Sequence, residues 1–129
     1  MKVLLSIKPE FVAEIISGNK KFEYRKSIFK RDDISTVVVY ATKPFGKVVG
    51  EFEIEKILED SPYKIWQRTK KHSGINRSFF NEYFRDKEKG YAIQIKDFIT
   101  YETPLELKDI DEGIRVAPQS FCYIREASL

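Results

Sequence analysis

The chain has 129 residues, a mass of 15.2 kDa, and 42% hydrophobic and 33% charged side chains, which suits one compact domain around one core, residues 1–129. Its longest uninterrupted apolar run, Val37-Val38-Val39-Tyr40-Ala41, is far short of the roughly 20 residues a membrane-spanning helix needs. One cysteine, Cys122, and one histidine, His72, exclude an internal disulfide and a Cys/His zinc site, and the net charge of +3 is too small to name a partner by itself.

Lys2 to Ile7 reads as a short apolar strand, and Ser6, Lys8 and Pro9 leave no room for a secretory apolar region, so the expected location is the cytoplasm. Pro9 fits a first helical turn, Phe11, Val12, Ile15 and Ile16 share one side of the helix, and Gly18-Asn19 stops it. Lys20 to Lys26 alternates as a strand, with Phe22 and Tyr24 on one face and Lys21, Glu23 and Arg25 on the other. Thr36 to Thr42 is largely β-branched and apolar, as a central strand requires. Lys43-Pro44-Phe45-Gly46 is a turn, and Lys47 to Leu58 returns as the second arm of a hairpin.

Asp60-Ser61-Pro62 opens a helix on which Tyr63 and Trp66 share a face, and Ser73-Gly74 ends it. Ser78 is the expected cap of a second short helix through Phe79, Phe80, Tyr83 and Phe84. Gly90 then starts a strand, Tyr91 to Phe98, and Tyr101 to Leu107 is extended and interrupted by Pro104, hence an edge or a bend. Ser120 to Arg125 is the last strand. The sum is an α+β domain with a strongly curled sheet or small barrel and a helical insertion at 60–89.

Charge is unevenly distributed. Residues 19–31 carry six basic side chains against Glu23, and residues 64–89 carry eight against three acids, whereas 51–60 and 102–126 are acidic. If the two basic segments meet, they form a positive face suited to a polyanion; otherwise they belong to an ordinary mixed-charge surface. Glu51, Glu53 and Glu55 share a strand face that could hold Mg²⁺ or simply be solvated. His72 could carry protons or be a surface residue, and Cys122 between Phe121 and Tyr123 reads as a wall residue. Trp66, Tyr63, Phe79, Phe80, Tyr83 and Phe84 could stack on bases or fill a core.

The segment Gly18-Asn19-Lys20-Lys21-Phe22-Glu23-Tyr24-Arg25 has the form G-x-K-x-x-E-x-R at a helix-to-strand junction. It resembles the ASCH domain family of the PUA-like superfamily. Ser6-Ile7-Lys8-Pro9, Val39-Tyr40-Ala41-Thr42, Gly50-Glu51-Phe52 and Ala117-Pro118-Gln119-Ser120-Phe121 match further landmarks in order, over nearly the whole chain. The resemblance implies a PUA-like mixed β-barrel with short helices, a role with RNA or a nucleotide-like ligand, and a nucleic-acid site that includes Lys8, Lys20, Glu23, Arg25, Thr42 and Gln119. No metal or cofactor is expected.

Glu23 and Arg25, two apart on a strand, can pair on one face and present leftover donors to a phosphate or base edge, or merely close one end of the barrel. Lys20 has the opposite parity and joins them only if Gly18-Asn19 twists the chain into the strand. The primary expectation is an RNA-binding module whose cleft is floored by these residues. The alternative is a small hydrolase acting on a modified nucleoside or on RNA, with Lys20 and Glu23 as the catalytic groups. Some members of the family this chain resembles are amidohydrolases that use a lysine and a threonine in this motif; here Glu23 stands where that threonine would be. Catalysis would then need Lys20 neutral or Glu23 raised in pKa.

Overall fold

In the computed structural model, which describes residues 1–125, the chain runs β1 (Lys2–Ile7), α1 (Pro9–Ser17), β2 (Phe22–Arg25), β3 (Thr36–Ala41), β4 (Lys47–Asp60), α2 (Pro62–Thr69), a 3₁₀ turn (Lys70–His72), α3 (Arg77–Tyr83), β5 (Gly90–Leu105), α4 (Leu107–Ile110) and β6 (Phe121–Ile124). Residues 126–129 of the expected 1–129 span lie outside the described residues. The strands form one mixed sheet in the order β2-β5-β4-β3-β1-β6.

β3 is central because its apolar run serves two cores at once: Val37 and Val39 enter one cluster, and Val38 and Tyr40 another. β1 lies parallel to it, with Val3 opposite Val37, and β4 lies antiparallel, with Phe52 opposite Val37. Pro9 starts α1, and Gly18 at φ 88° ends it. Val12 and Ile15 of that helix cover the first cluster. On the opposite sheet face, Leu105, Leu107, Ile110 and Ile114 cover Leu4, Val38 and Val48.

Residues 60–89 build a third core. Ile65, Trp66, Phe80 and Phe84 pack over Phe22 and Tyr24 of β2, with the Tyr24 and Phe80 rings edge-on at 5.1 Å. Of the six aromatics that could stack or fill a core, Trp66, Phe80 and Phe84 are core, while Phe79 and Tyr83 face a cleft. Tyr63 does not share the fate of Trp66. It sits in the first turn of α2 and is 66% exposed, whereas Trp66 turns inward with Ile65 and Thr69. The cap of α3 is Asn76 rather than Ser78, its Oδ1 accepting the Phe79 N–H at 2.7 Å.

Tyr101 to Leu105 is no separate segment but the end of β5, because Pro104 lies between the Gly50–Thr100 and Val48–Leu105 pairs, where a register shift interrupts the ladder. The hydrogen-bonded sheet also does not close into a barrel: β2, only four residues long, pairs with β5 alone and remains an edge, as does β6. Curl still brings these edges together, and one side chain, Arg25, spans the gap.

Candidate functional site

The two faces of β2 have different tasks. Phe22 and Tyr24 enter the core of the insertion, while Glu23 and Arg25 face a cleft of about 920 Å³ between the β1–α1 junction, the insertion and the loop at 115–119. Lys8, Lys20, Glu23, Arg25, Thr42 and Gln119 all line this cleft. Lys8 is exposed on the rim, its ammonium 5.5 Å from the centre of the Phe79 ring. Thr42 follows β3, and Gln119 is exposed on the closing loop.

Lys20, Glu23 and Arg25 are only 2%, 7% and 9% exposed, so their charges depend on one another. The Arg25 guanidinium meets Glu23 Oε2 at 2.9 Å and donates to the carbonyls of Ser6 at 2.9 Å and Ser120 at 3.3 Å. It thus ties β2 to β1 and to the start of β6. Its leftover donors, expected to face a ligand, are mostly used on the protein; Nε is buried and has no partner among the described residues.

Lys20 keeps the parity of Tyr24, as strand alternation requires, and its ammonium lies 4.6 Å from that ring's centre. It donates to the Ser73 carbonyl at 3.0 Å and stands 4.0 Å from Glu23 Oε1. The left-handed Gly18 turns the chain so that Lys20 enters just before β2 and reaches the carboxylate from the side. Burial pushes the Lys20 pKa below its ordinary value; Glu23 opposes this and Arg25 adds to it. Tyr24 is also held by the insertion: its hydroxyl is 2.7 Å from Thr69 Oγ1, which donates to the Ile65 carbonyl, and burial pushes its pKa up to about 12.

Several further residues shape the cleft. Phe11, Phe79 and Tyr83 form aromatic walls, and Lys43 and Arg115 add charge at the rim. Ser6 Oγ donates to the Pro118 carbonyl at 2.7 Å and pins the closing loop. Gly74 does not line the cleft but stands against Lys20 at φ 68°, where a Cβ would fall 2.7 Å from Lys20 Cγ. A glycine beside Ser73, read from sequence only as a helix breaker, is what lets the insertion approach the lysine.

The other candidates lie elsewhere. His72 is exposed in a separate groove. Cys122 is half-buried, and burial pushes its thiol pKa up, away from nucleophilic character. Glu51 accepts from the Tyr101 hydroxyl at 2.8 Å and pairs with Lys2, and Glu55 pairs with Lys96. Among the described residues no three His, Cys, Asp or Glu side chains converge as metal ligands, and no helix is long and apolar enough to cross a membrane.

The chain is similar to known proteins in sequence and in fold. The chain is 28% identical over 128 residues to the ASCH domain-containing ribonuclease of Zymomonas mobilis, covering 97% of this chain and 85% of that protein. It is also 32% identical over 89 residues to the large ribosomal subunit protein uL22 of Ureaplasma parvum, covering 69% of this chain but 28% of that protein. The crystal structure of the ASCH protein from Zymomonas mobilis superposes with a TM-score of 0.86 at 27% identity, over 97% of this chain and 88% of that one. The ASCH domain matches residues 5–103, and with the same α+β sheet and helices in that solved structure, the chain belongs to the ASCH domain family.

Proposed function

We propose that this protein binds single-stranded RNA, seating one nucleotide in the cleft over Lys20, Glu23 and Arg25. The observation that carries the reading is a buried cation–carboxylate–cation cluster, with Glu23 2.9 Å from Arg25 and 4.0 Å from Lys20, in the wall of a cleft of about 920 Å³. That volume is in the range of sites for small organic ligands, roughly 300–1,000 Å³. Phe79 and Tyr83 offer faces for a base, Thr42 and Gln119 offer polar groups for its edge, and Lys8, Lys43 and Arg115 stand where phosphates would pass. The ribonuclease name of the Zymomonas mobilis relative points to the same class of ligand. The curled sheet bridged by Arg25 also suits the PUA-like relationship, with a side chain in place of strand closure.

One observation favours bond cleavage as a second reading. Burial lowers the Lys20 pKa, which raises the fraction of free amine available as a base. In RNA that amine would take the proton of a 2′-hydroxyl, whose oxygen attacks the adjacent phosphorus. The 5′-oxygen leaves and takes a proton from solvent, giving a 2′,3′-cyclic phosphate and a 5′-hydroxyl end. Hydrolysis of an acylated cytidine, with Glu23 as the base acting on water, is the corresponding nucleoside reaction.

The test combines binding and product analysis with oligouridylate and with acylated cytidine. Affinity for the RNA should fall with salt, with a log–log slope of about −0.7 per phosphate contacted, and Lys8→Glu should weaken it. If a bond is cleaved, Lys20→Met should lower turnover by about 10²–10⁴-fold while leaving affinity within a few-fold. Binding that ignores both salt and Lys8→Glu would refute the cleft as the site. Absence of product from the wild-type protein on both substrates would leave a binding protein.

A further inference from the structure

The two basic segments that the sequence keeps apart, 19–31 and 64–89, meet in the folded chain. Lys20 and Ser73 form an isolated antiparallel bridge, and the Lys21 N–H donates to the His72 carbonyl at 2.9 Å. Beside this junction lies a second groove of about 700 Å³, lined by the end of α1 and the 3₁₀ turn. Its cations are Lys21, Lys70 and Lys71, with His72 next to them, and its single carboxylate is Glu14. All three lysines are exposed. Among the described residues none of them has a carboxylate within 4.0 Å; Lys70 donates instead to Gln67 Oε1 at 3.2 Å.

The groove abuts the cleft at Ile75, which lines both. Consecutive residues divide between them: Lys20 lines the cleft, and Lys21 lines the groove. Gly18 and Gly74 line the groove without side chains, and a Cβ built on Gly18 would meet nothing within 4 Å. No Phe, Tyr or Trp lines it. Unpaired cations around an open channel without aromatic faces suit a phosphodiester backbone rather than a base.

We infer that this groove is a second nucleic-acid subsite, a phosphate track for the RNA strand as it leaves the cleft across Ile75. The inference rests on the RNA reading of the cleft. It makes the length of RNA, not its sequence, the variable that the groove senses, because contacts to phosphates carry little base information.

The experiment compares a uridine trinucleotide with a 12-nucleotide oligouridylate, each titrated against salt. The variants are Lys70→Glu with Lys71→Glu, and a control of equal charge, Lys56→Glu with Lys87→Glu, at exposed positions outside both the groove and the cleft. The groove variant should bind the 12-mer on the order of tenfold more weakly, with a salt slope flatter by about 1.4 if two phosphates are released. Its trinucleotide affinity should match that of the control. Equal 12-mer affinity in the groove variant and the control would overturn the inference, as would an equal loss on the trinucleotide. If the wild-type protein binds neither RNA, the cleft reading itself fails; if it binds both and only the groove result is negative, the cleft reading stands alone.

Discussion

Lys20 is a charged side chain in a place that penalises charge. Its ammonium is offset by Glu23 at 4.0 Å and by the Tyr24 ring, yet burial still outweighs these and lowers its pKa below 10.5. A lysine with a lowered folded-state pKa binds fewer protons folded than unfolded. Its contribution to stability therefore rises with pH from the lowered value up to about 10.5 and is level below that window. Lys20→Met removes this titration and leaves the other groups in place. The stability of the wild-type protein relative to Lys20→Met, from urea unfolding, should then increase between pH 7 and pH 10; a constant difference would show that Lys20 titrates alike in both states. The residue types of this site were legible in the sequence, since Glu23 and Arg25 share a strand face and pair at 2.9 Å. What Arg25 does with its other donors was not, because Ser6 and Ser120 become its neighbours only through the curl of the sheet.

The motif strand depends on the insertion that packs beside it. Thr69 holds the Tyr24 hydroxyl, the Ser73 carbonyl takes the Lys20 ammonium, and Gly74 makes room for the lysine stem. Gly74→Ala would force a side chain into a left-handed residue, a cost of roughly 1–2 kcal/mol, and add an overlap with Lys20. Both stability, by urea midpoint, and affinity for oligouridylate should fall. Lower stability with unchanged affinity would separate the lysine's position from binding. At this scale local patterns were read correctly where one element decides its own form: the alternation of β2, Pro9 and Gly18 bounding α1, and the β3–β4 hairpin. They failed where two signals competed or tertiary packing decided. Asn76 and Ser78 are both good caps, and only the fold selects Asn76; Pro104 looks like a strand end until a register shift in the β4–β5 ladder accommodates it.

At the scale of the whole molecule, the three cores are joined back to back through shared strands. On β5, Ala92 belongs to the core of the insertion and the adjacent Ile93 to the core under α1, and both are fully buried. The insertion therefore has no sheet of its own: Phe22, Tyr24, Leu58 and Ala92 of its core come from β2, β4 and β5, and the other face of β5 is needed elsewhere. We expect residues 1–125 to unfold as one cooperative unit, although the sequence shows a change of character at 60–89 that could be taken for a separate piece. The chain's one tryptophan, Trp66, lies in the insertion core and reports on it alone, whereas far-ultraviolet circular dichroism reports on the whole sheet. Leu5→Ala, at a 1% exposed position in the other core, should cost about 2–5 kcal/mol. If the cores are coupled, the Trp66 fluorescence midpoint in urea should fall as far as the circular dichroism midpoint, with superimposable transitions. If Trp66 instead reports an unchanged midpoint while the dichroism transition moves, the insertion folds on its own, and the support that Thr69, Ser73 and Gly74 give to Lys20 would survive loss of the remaining sheet.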